Sequence, residues 1–175
     1  MPVIQEMLDA VAAEFSDMQD AGQAATVAFR LLLAAALGGA LGYERESAGK
    51  AAGVRTHMLV AIGTSMFLMA SNLAGGGDSE SSRIIQGVVA GIGFLGAGAI
   101  VKGKPGEEIQ GLTTAASIWM TAAIGVSVGL GHASTAILST LLALIVLAVM
   151  HRGFQWLHPT NGENGRGKNS GHDQP

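Results

Sequence analysis

The chain has 175 residues, 49% of them apolar and 13% charged, with a mean hydropathy of +0.40 and a formal net charge of −3. Soluble domains carry about 25% charged residues, so an ordinary water-soluble fold is excluded. The absence of cysteine excludes a disulfide framework and a thiolate metal site.

The first 22 residues read as an acidic amphipathic segment. Ile4, Met7, Leu8, Val11, Phe15 and Met18 recur at helical spacing, interspersed with Glu6, Asp9, Glu14, Asp17 and Asp20. This pattern suits a helix lying on the outer membrane surface. Its carboxylates are read first as a solvated face, with the gathering of divalent cations as the alternative. No Lys or Arg occurs in the first 20 residues, so the positively charged start of a cleavable signal peptide is missing.

A membrane domain is expected over 23–152. A hydrocarbon core about 30 Å thick needs roughly 20 apolar residues as helix. Span one, Ala21 to Tyr43, contains Arg30, which lies in the outer third of the bilayer, where an arginine can snorkel to water, with a buried functional charge as the alternative. After it comes the charged loop Tyr43-Glu-Arg-Glu-Ser-Ala-Gly-Lys-Ala-Ala-Gly-Val-Arg-Thr-His57. One reading makes this loop a basic anchor with weak surface ion pairs. The other turns Glu44, Glu46, Arg55 and His57 into the mouth of the bundle, with Arg45 beside them. Span two is drawn from the uncharged run Met58 to Gly77. Asp78 and Arg83 then flank the entrance to span three and can pair, with Gln86 one turn inside.

Span three, Ile84 to Val101, is free of charge but carries Gly87, Gly91, Gly93, Gly96 and Gly98. Gly91-x-Gly93-x-x-Gly96 has dinucleotide-fingerprint spacing but lacks the surrounding βαβ pattern. Gly98-x-x-x-x-Gly103-Lys104 is followed by Pro105, not the Ser or Thr of a phosphate-binding loop. No nucleotide or nucleic acid partner is therefore expected. The glycines either pack two helix faces or allow a break that lines a cavity.

From Ile109 to Met150 the only ionisable side chain is His132, which marks the turn between spans four and five. In span four, Thr113, Ser117, Thr121, Gly125 and Gly129 recur every four residues. Small residues let backbones approach in lipid, so they predict a helix–helix seam, as do Gly38 and Gly42 in span one. His57 and His132 are read as interfacial polar residues and do not by themselves form a metal site. The tail, 153–175, is short and polar, with Trp156 and His158 as an interfacial anchor and residues from Asn161 on expected to be disordered.

Five spans put the termini on opposite sides. Arg45, Lys50, Arg55, Lys102, Lys104, Arg152, Arg166 and Lys168 fall on one side, Arg83 and Arg30 on the other. The bias predicts an external N-terminus and a cytoplasmic C-terminus.

Several segments, in order, resemble the membrane domain of the MgtC/SapB family. They are Gly42-Tyr-Glu-Arg-Glu46 with Gly49-Lys50, Ala52-Gly-Val-Arg-Thr-His57, Arg83-Ile-Ile-Gln-Gly, Gly91-Ile-Gly-Phe-Leu-Gly-Ala-Gly98, and Gly111-Leu-Thr-Thr-Ala-Ala-Ser-Ile-Trp119 followed by Ala122-Ala-Ile-Gly125. The resemblance spans about residues 26 to 150 and brings Thr113, Thr114 and Trp119 into the set of candidates. It implies a five-span bacterial inner-membrane protein that supports adaptation to low magnesium and survival under host-like stress, acting as a modulator of other membrane proteins. MgtC-type members also carry a cytoplasmic C-terminal domain. The roughly 25 residues after span five leave no room for it, so a short, SapB-like form is expected.

The leading expectation is a non-enzymatic protein of magnesium or ion homeostasis that contacts another membrane protein or a second copy of itself. No cofactor is expected, although Mg²⁺ is a possible ligand or cargo. The alternative is a transporter or channel for Mg²⁺ or H⁺, with Glu44, Glu46, Asp78, Arg83 and Gln86 lining its entry points. Mg²⁺ keeps several waters and binds through one or two carboxylates, which leaves little sequence signature.

Overall fold

A computed structural model describes residues 2–14, 20–100 and 109–157, with side chains described over 3–13, 20–100 and 109–149. The described residues form six helices: α1 Pro2–Glu14, α2 Ala21–Ser47, α3 Val54–Leu73, α4 Asp78–Ala99, α5 Leu112–Gly129 and α6 Ala133–Leu157. Helices α2 to α5 are long and apolar enough to cross a membrane, and α6 is apolar over Ala133–Val149. The fold is thus an all-helical, multi-pass membrane bundle. Lys102, Lys104 and the tail from His158 lie outside the described residues, and so do Phe15, Asp17 and Met18 of the amphipathic pattern.

The helix boundaries follow from local chemistry. Asp20 caps α2, its Oδ1 accepting the Gly22 N–H at 2.9 Å. Helix α4 starts at Gly77, whose N–H is accepted by the Glu80 carboxylate at 3.1 Å, and Asp78 and Glu80 fall in the positive first turn. Helix α5 starts at Gly111, whose φ of +92° is strained for any residue with a Cβ.

The bundle is organised around α3. A Cβ built on Gly38 would lie 2.6 Å from the His57 carbonyl oxygen, and one on Gly42 would lie 2.6 Å from Val54 Cα. A Cβ on Gly129 would lie 2.6 Å from the Ser65 carbonyl oxygen, and one on Gly125 would lie 3.0 Å from Ala61 Cα. The backbones of α2 and α5 therefore rest directly on α3. Helix α2 runs antiparallel to α3 and α5 runs parallel to it. Ala34, Leu41, Ala61, Ile124, Val128 and Ala136 fill the core and bring in α6. A second cluster of Ala52, Ile92, Ile118 and Ala122 seats α4 against α5. Helix α1 packs on none of the other helices, and Val3, Ile4, Met7, Leu8 and Val11 are exposed.

Two points bear on the readings of α4. It is one continuous helix, Asp78–Ala99, so of the two readings left open for its glycines the break between Gly91 and Gly98 is not the one found. Gly96 faces the Ala115 Cβ, which puts α4 and α5 in contact. A Cβ added at Gly87, Gly91, Gly93 or Gly98 would meet nothing within 4 Å. The packing expected of those four inside the bundle is therefore absent, because α4 sits at its edge with only Ile92 and Gly96 buried.

This contrast makes opposite predictions for one substitution. Gly125→Ala must push apart two backbones and should destabilise the bundle by about 1–3 kcal/mol. Gly91→Ala should be neutral, or stabilising by up to about 1 kcal/mol through helix propensity. Unfolding titrations in detergent micelles measure both, and equal effects would refute the assignment of the seam.

Candidate functional site

The polar residues of the chain converge at the end of the bundle that carries the α2–α3 turn. That turn closes when the Lys50 N–H bonds to the Arg45 carbonyl at 3.0 Å. Helix α3 then begins at Gly53, which has no side chain to cap it. Glu46 supplies the missing acceptor from the end of α2, its Oε2 taking the Val54 N–H at 2.9 Å. Glu46 is exposed and its carboxylate also faces the positive end of α3. Beside it, Glu46, Lys50, Arg55 and Thr56 line an open polar depression of about 340 Å³.

One residue further in, the polarity is buried. Arg45 is only 3% exposed and pairs with Glu44, the one ion pair among the described residues. His57 is completely enclosed. Its Nδ1 bonds to the Gly53 carbonyl oxygen at 2.9 Å, and its Nε2 lies 3.2 Å from Ser117 Oγ on α5. Ser117 Oγ also donates to the Thr114 carbonyl at 2.8 Å. His57 thus bridges two helices at the level where α2 crosses them, since Gly38 rests on the His57 carbonyl.

Buried hydroxyls continue along the seam. Thr64 donates to the Val60 carbonyl at 2.9 Å and Thr121 to the Ser117 carbonyl at 2.9 Å. Each satisfies its hydroxyl within its own helix, as a low-dielectric interior requires. Ser65 Oγ is the exception: it is buried and has no partner among the described residues.

At the opposite end, Arg30 is half-buried, not simply extended to water. Its Nη1 donates to the Gly129 carbonyl at 3.0 Å, at the C-terminus of α5, where the helix dipole favours a cation. Gln23, Thr26, Arg30 and Asn72 contribute polar groups to a groove of about 190 Å³ there.

The sequence candidates therefore divide. Glu44, Arg45, Glu46 and His57 come together at one end with Thr114 and Ser117. Arg55 stands on the adjoining rim with its side chain exposed. His57 was expected at the interface and is instead in the core. Asp78, Arg83 and Gln86 are exposed at the far end of α4, and Asp78 and Arg83 do not pair. Thr113 is exposed, while Thr114, Ser117, Thr121, Gly125 and Gly129 are buried. A four-residue spacing advances about 40° per step around a 3.6-residue helix, so Thr113 rotates off the face that Thr114 joins. Trp119 is half-exposed and lines an apolar groove between α4 and α5 with Ile85, Val89 and Ala123. Arg30 was not among the candidates. Its position near one end of an apolar span was visible, but its carbonyl partner belongs to a residue 99 positions away.

No group of three or more His, Asp or Glu side chains able to hold a metal occurs among the described residues. The site as built is a hydrogen-bonded polar bridge across three helices.

The comparisons fall on the same segments. The profile described as MgtC family matches residues 31–155. The chain is 41% identical to Protein SrpB of Synechococcus elongatus over 137 residues, which are 72% of this chain and 75% of that protein. It is 44% identical to Putative magnesium transporter YhiD of Escherichia coli strain K12 over 131 residues, 70% of this chain and 60% of the relative. It is also 44% identical to Protein MgtC of Brucella abortus over 114 residues, 65% of this chain and 47% of the relative. The chain thus spans from about half to three quarters of the length of these relatives. No solved structure matches.

Capping at a distance by Glu46 has a measurable consequence. Glu46→Ala leaves the Val54 N–H without its acceptor and should lower stability by about 1 kcal/mol, with Glu46→Gln retaining most of it. Chemical unfolding of the purified protein checks this, and an unaffected Glu46→Ala variant would contradict the cap.

Proposed function

The chain belongs to the MgtC family, and on that premise we propose that it is a non-enzymatic inner-membrane protein of bacterial magnesium homeostasis that acts by contact with a second membrane protein. In this reading it has five spans, α2 to α6, with the N-terminus outside and the C-terminus in the cytoplasm. The basic residues Arg45, Lys50 and Arg55 at the α2–α3 turn support that orientation. The link to magnesium is supported by the names of relatives 44% identical to it, which include a putative magnesium transporter and MgtC.

The observation that carries the contact mechanism is the outer face of α4. Glycine in a helix interior costs about 1 kcal/mol relative to alanine. Gly87, Gly91 and Gly98 bear that cost near one face of α4, where an added Cβ would meet nothing within 4 Å, and Gly87 and Gly91 border an open groove beside Thr64 and Phe67 of α3. Small residues on a lipid-facing helix allow close approach of another transmembrane helix. The seam along α3, by contrast, is filled by backbone contact and by hydroxyls bonded within their own helices. A second reading, transport of Mg²⁺ or H⁺, is favoured by the name of the E. coli relative.

Two measurements separate these readings. In cells lacking the endogenous gene, Gly87→Leu and Gly91→Leu should leave the protein folded in the membrane. They should abolish both its co-purification with a membrane complex and its support of growth in low magnesium. Loss of neither would overturn the contact mechanism. In liposomes the protein alone should show no Mg²⁺ or proton flux, whereas flux abolished by Glu44→Gln and Arg83→Ala would establish the transport reading in its place.

A further inference from the structure

Helix α1, Pro2–Glu14, has no part in either reading above. It packs on none of the other helices, and every side chain described in it is exposed. At about 100° per residue, Val3, Ile4, Met7, Leu8 and Val11 fall within an arc of about 140° on one side. These five are 59–64% exposed. Glu6 and Asp9 fall on the other side, with Ala13 between them in angle. Glu14, the last residue, stands where the apolar stripe would continue and ends it.

Such a stripe is stabilised only against an apolar partner, and three observations identify the partner. Six residues separate Glu14 from Ala21, so the end of α1 lies no more than about 25 Å from the start of α2. Helix α2 has 27 residues and is about 40 Å long, against a hydrocarbon core of about 30 Å. Its start, capped by Asp20, therefore lies at the bilayer surface, and α1 is tethered within reach of that surface. An arc wider than about 100° also suits a broad apolar surface, whereas a single partner helix is met by a narrower seam. Lastly, α1 carries Glu6, Asp9 and Glu14 and neither Lys nor Arg, so an anionic surface repels it.

We infer that α1 is an in-plane surface helix, laid on the bilayer beside the start of α2, and that its partner is a lipid surface of low charge. Val3, Ile4, Met7, Leu8 and Val11 enter the lipid, and Glu6 and Asp9 stay in water. Interfacial helices rich in Lys and Arg gain from anionic lipid. This one is held by apolar contact against charge. Its attachment is firmest on zwitterionic lipid and loosens as anionic lipid accumulates, and salt reduces the loss by screening. Such a helix is compatible with both the contact and the transport readings, and its failure would touch neither.

The chain has no cysteine, so a single introduced one carries a spin label at a known place. Leu8→Cys and Ala13→Cys put a label on each side of α1 in the full chain, held in nanodiscs of phosphatidylcholine. Collision with oxygen, which concentrates in lipid, and with a water-soluble nickel chelate then reads the depth of each label. The ratio of oxygen to nickel access should be several-fold higher at Leu8 than at Ala13. Adding phosphatidylglycerol at low salt should raise nickel access at Leu8, and Glu6→Gln with Asp9→Asn should reduce that rise. Equal nickel access at the two positions in phosphatidylcholine would overturn the inference, because α1 then stands in water. A Leu8 label shielded from both reagents would also overturn it, because a protein surface such as a second copy then covers the stripe. A Leu8 label left unmoved or driven deeper by phosphatidylglycerol would refute the dependence on lipid charge.

Discussion

Everything else in this bundle depends on how closely the backbones of α2 and α5 approach α3. Lipid supplies little hydrophobic force between helices, so cohesion comes from packing and polar contact. Four glycines make that packing possible: Gly38 and Gly42 on α2, and Gly125 and Gly129 on α5. At each, a single added carbon would fall within 3.0 Å of α3 backbone. The three helices thereby form one closely packed unit, on which α4 and α6 rest through apolar contact.

That closeness also explains where the polar groups are. Along the seam Thr64 and Thr121 bond their hydroxyls within their own helices, and Ser65 Oγ is the one buried side-chain oxygen or nitrogen without a partner among the described residues. His57 is the exception in kind, because its ring is long enough to cross from α3 to α5. It does so at the end where Glu46 caps α3 and Arg45 is buried against Glu44. The bridge and the cap share Gly53: its carbonyl holds the imidazole, and the following N–H is held by Glu46. The α2–α3 turn and the α3–α5 contact are therefore parts of one polar assembly. Arg30 performs a related task at the other end by tying α2 to the C-terminus of α5.

The uncharged runs and their punctuation made the helices legible in the sequence. Met58 to Gly77 contains most of α3, and Ala21, where the first span was placed, is the first residue of α2. Small residues at four-residue spacing drew attention to α5, where Gly125 and Gly129 lie against α3 and Thr113 is exposed. The helix that seam rests on was beyond reach, because pattern on one helix does not identify its partner. The same limit applies to His57. A histidine in the first turn of an apolar run looks interfacial, and only the position of Ser117, sixty residues on, encloses it. The glycines of α4 differ from those of α5 in a way composition does not show: an added Cβ at Gly87, Gly91, Gly93 or Gly98 would meet nothing within 4 Å, because α4 lies at the edge.

The most direct measurement of this account is a through-space carbon–carbon correlation by solid-state NMR of the protein in bilayers, between Gly125 Cα and Ala61 Cα. Backbone-to-backbone packing of α5 on α3 predicts a strong cross-peak at the shortest mixing times. Its absence while both residues give ordered helical signals would contradict the seam and, with it, the enclosure of His57.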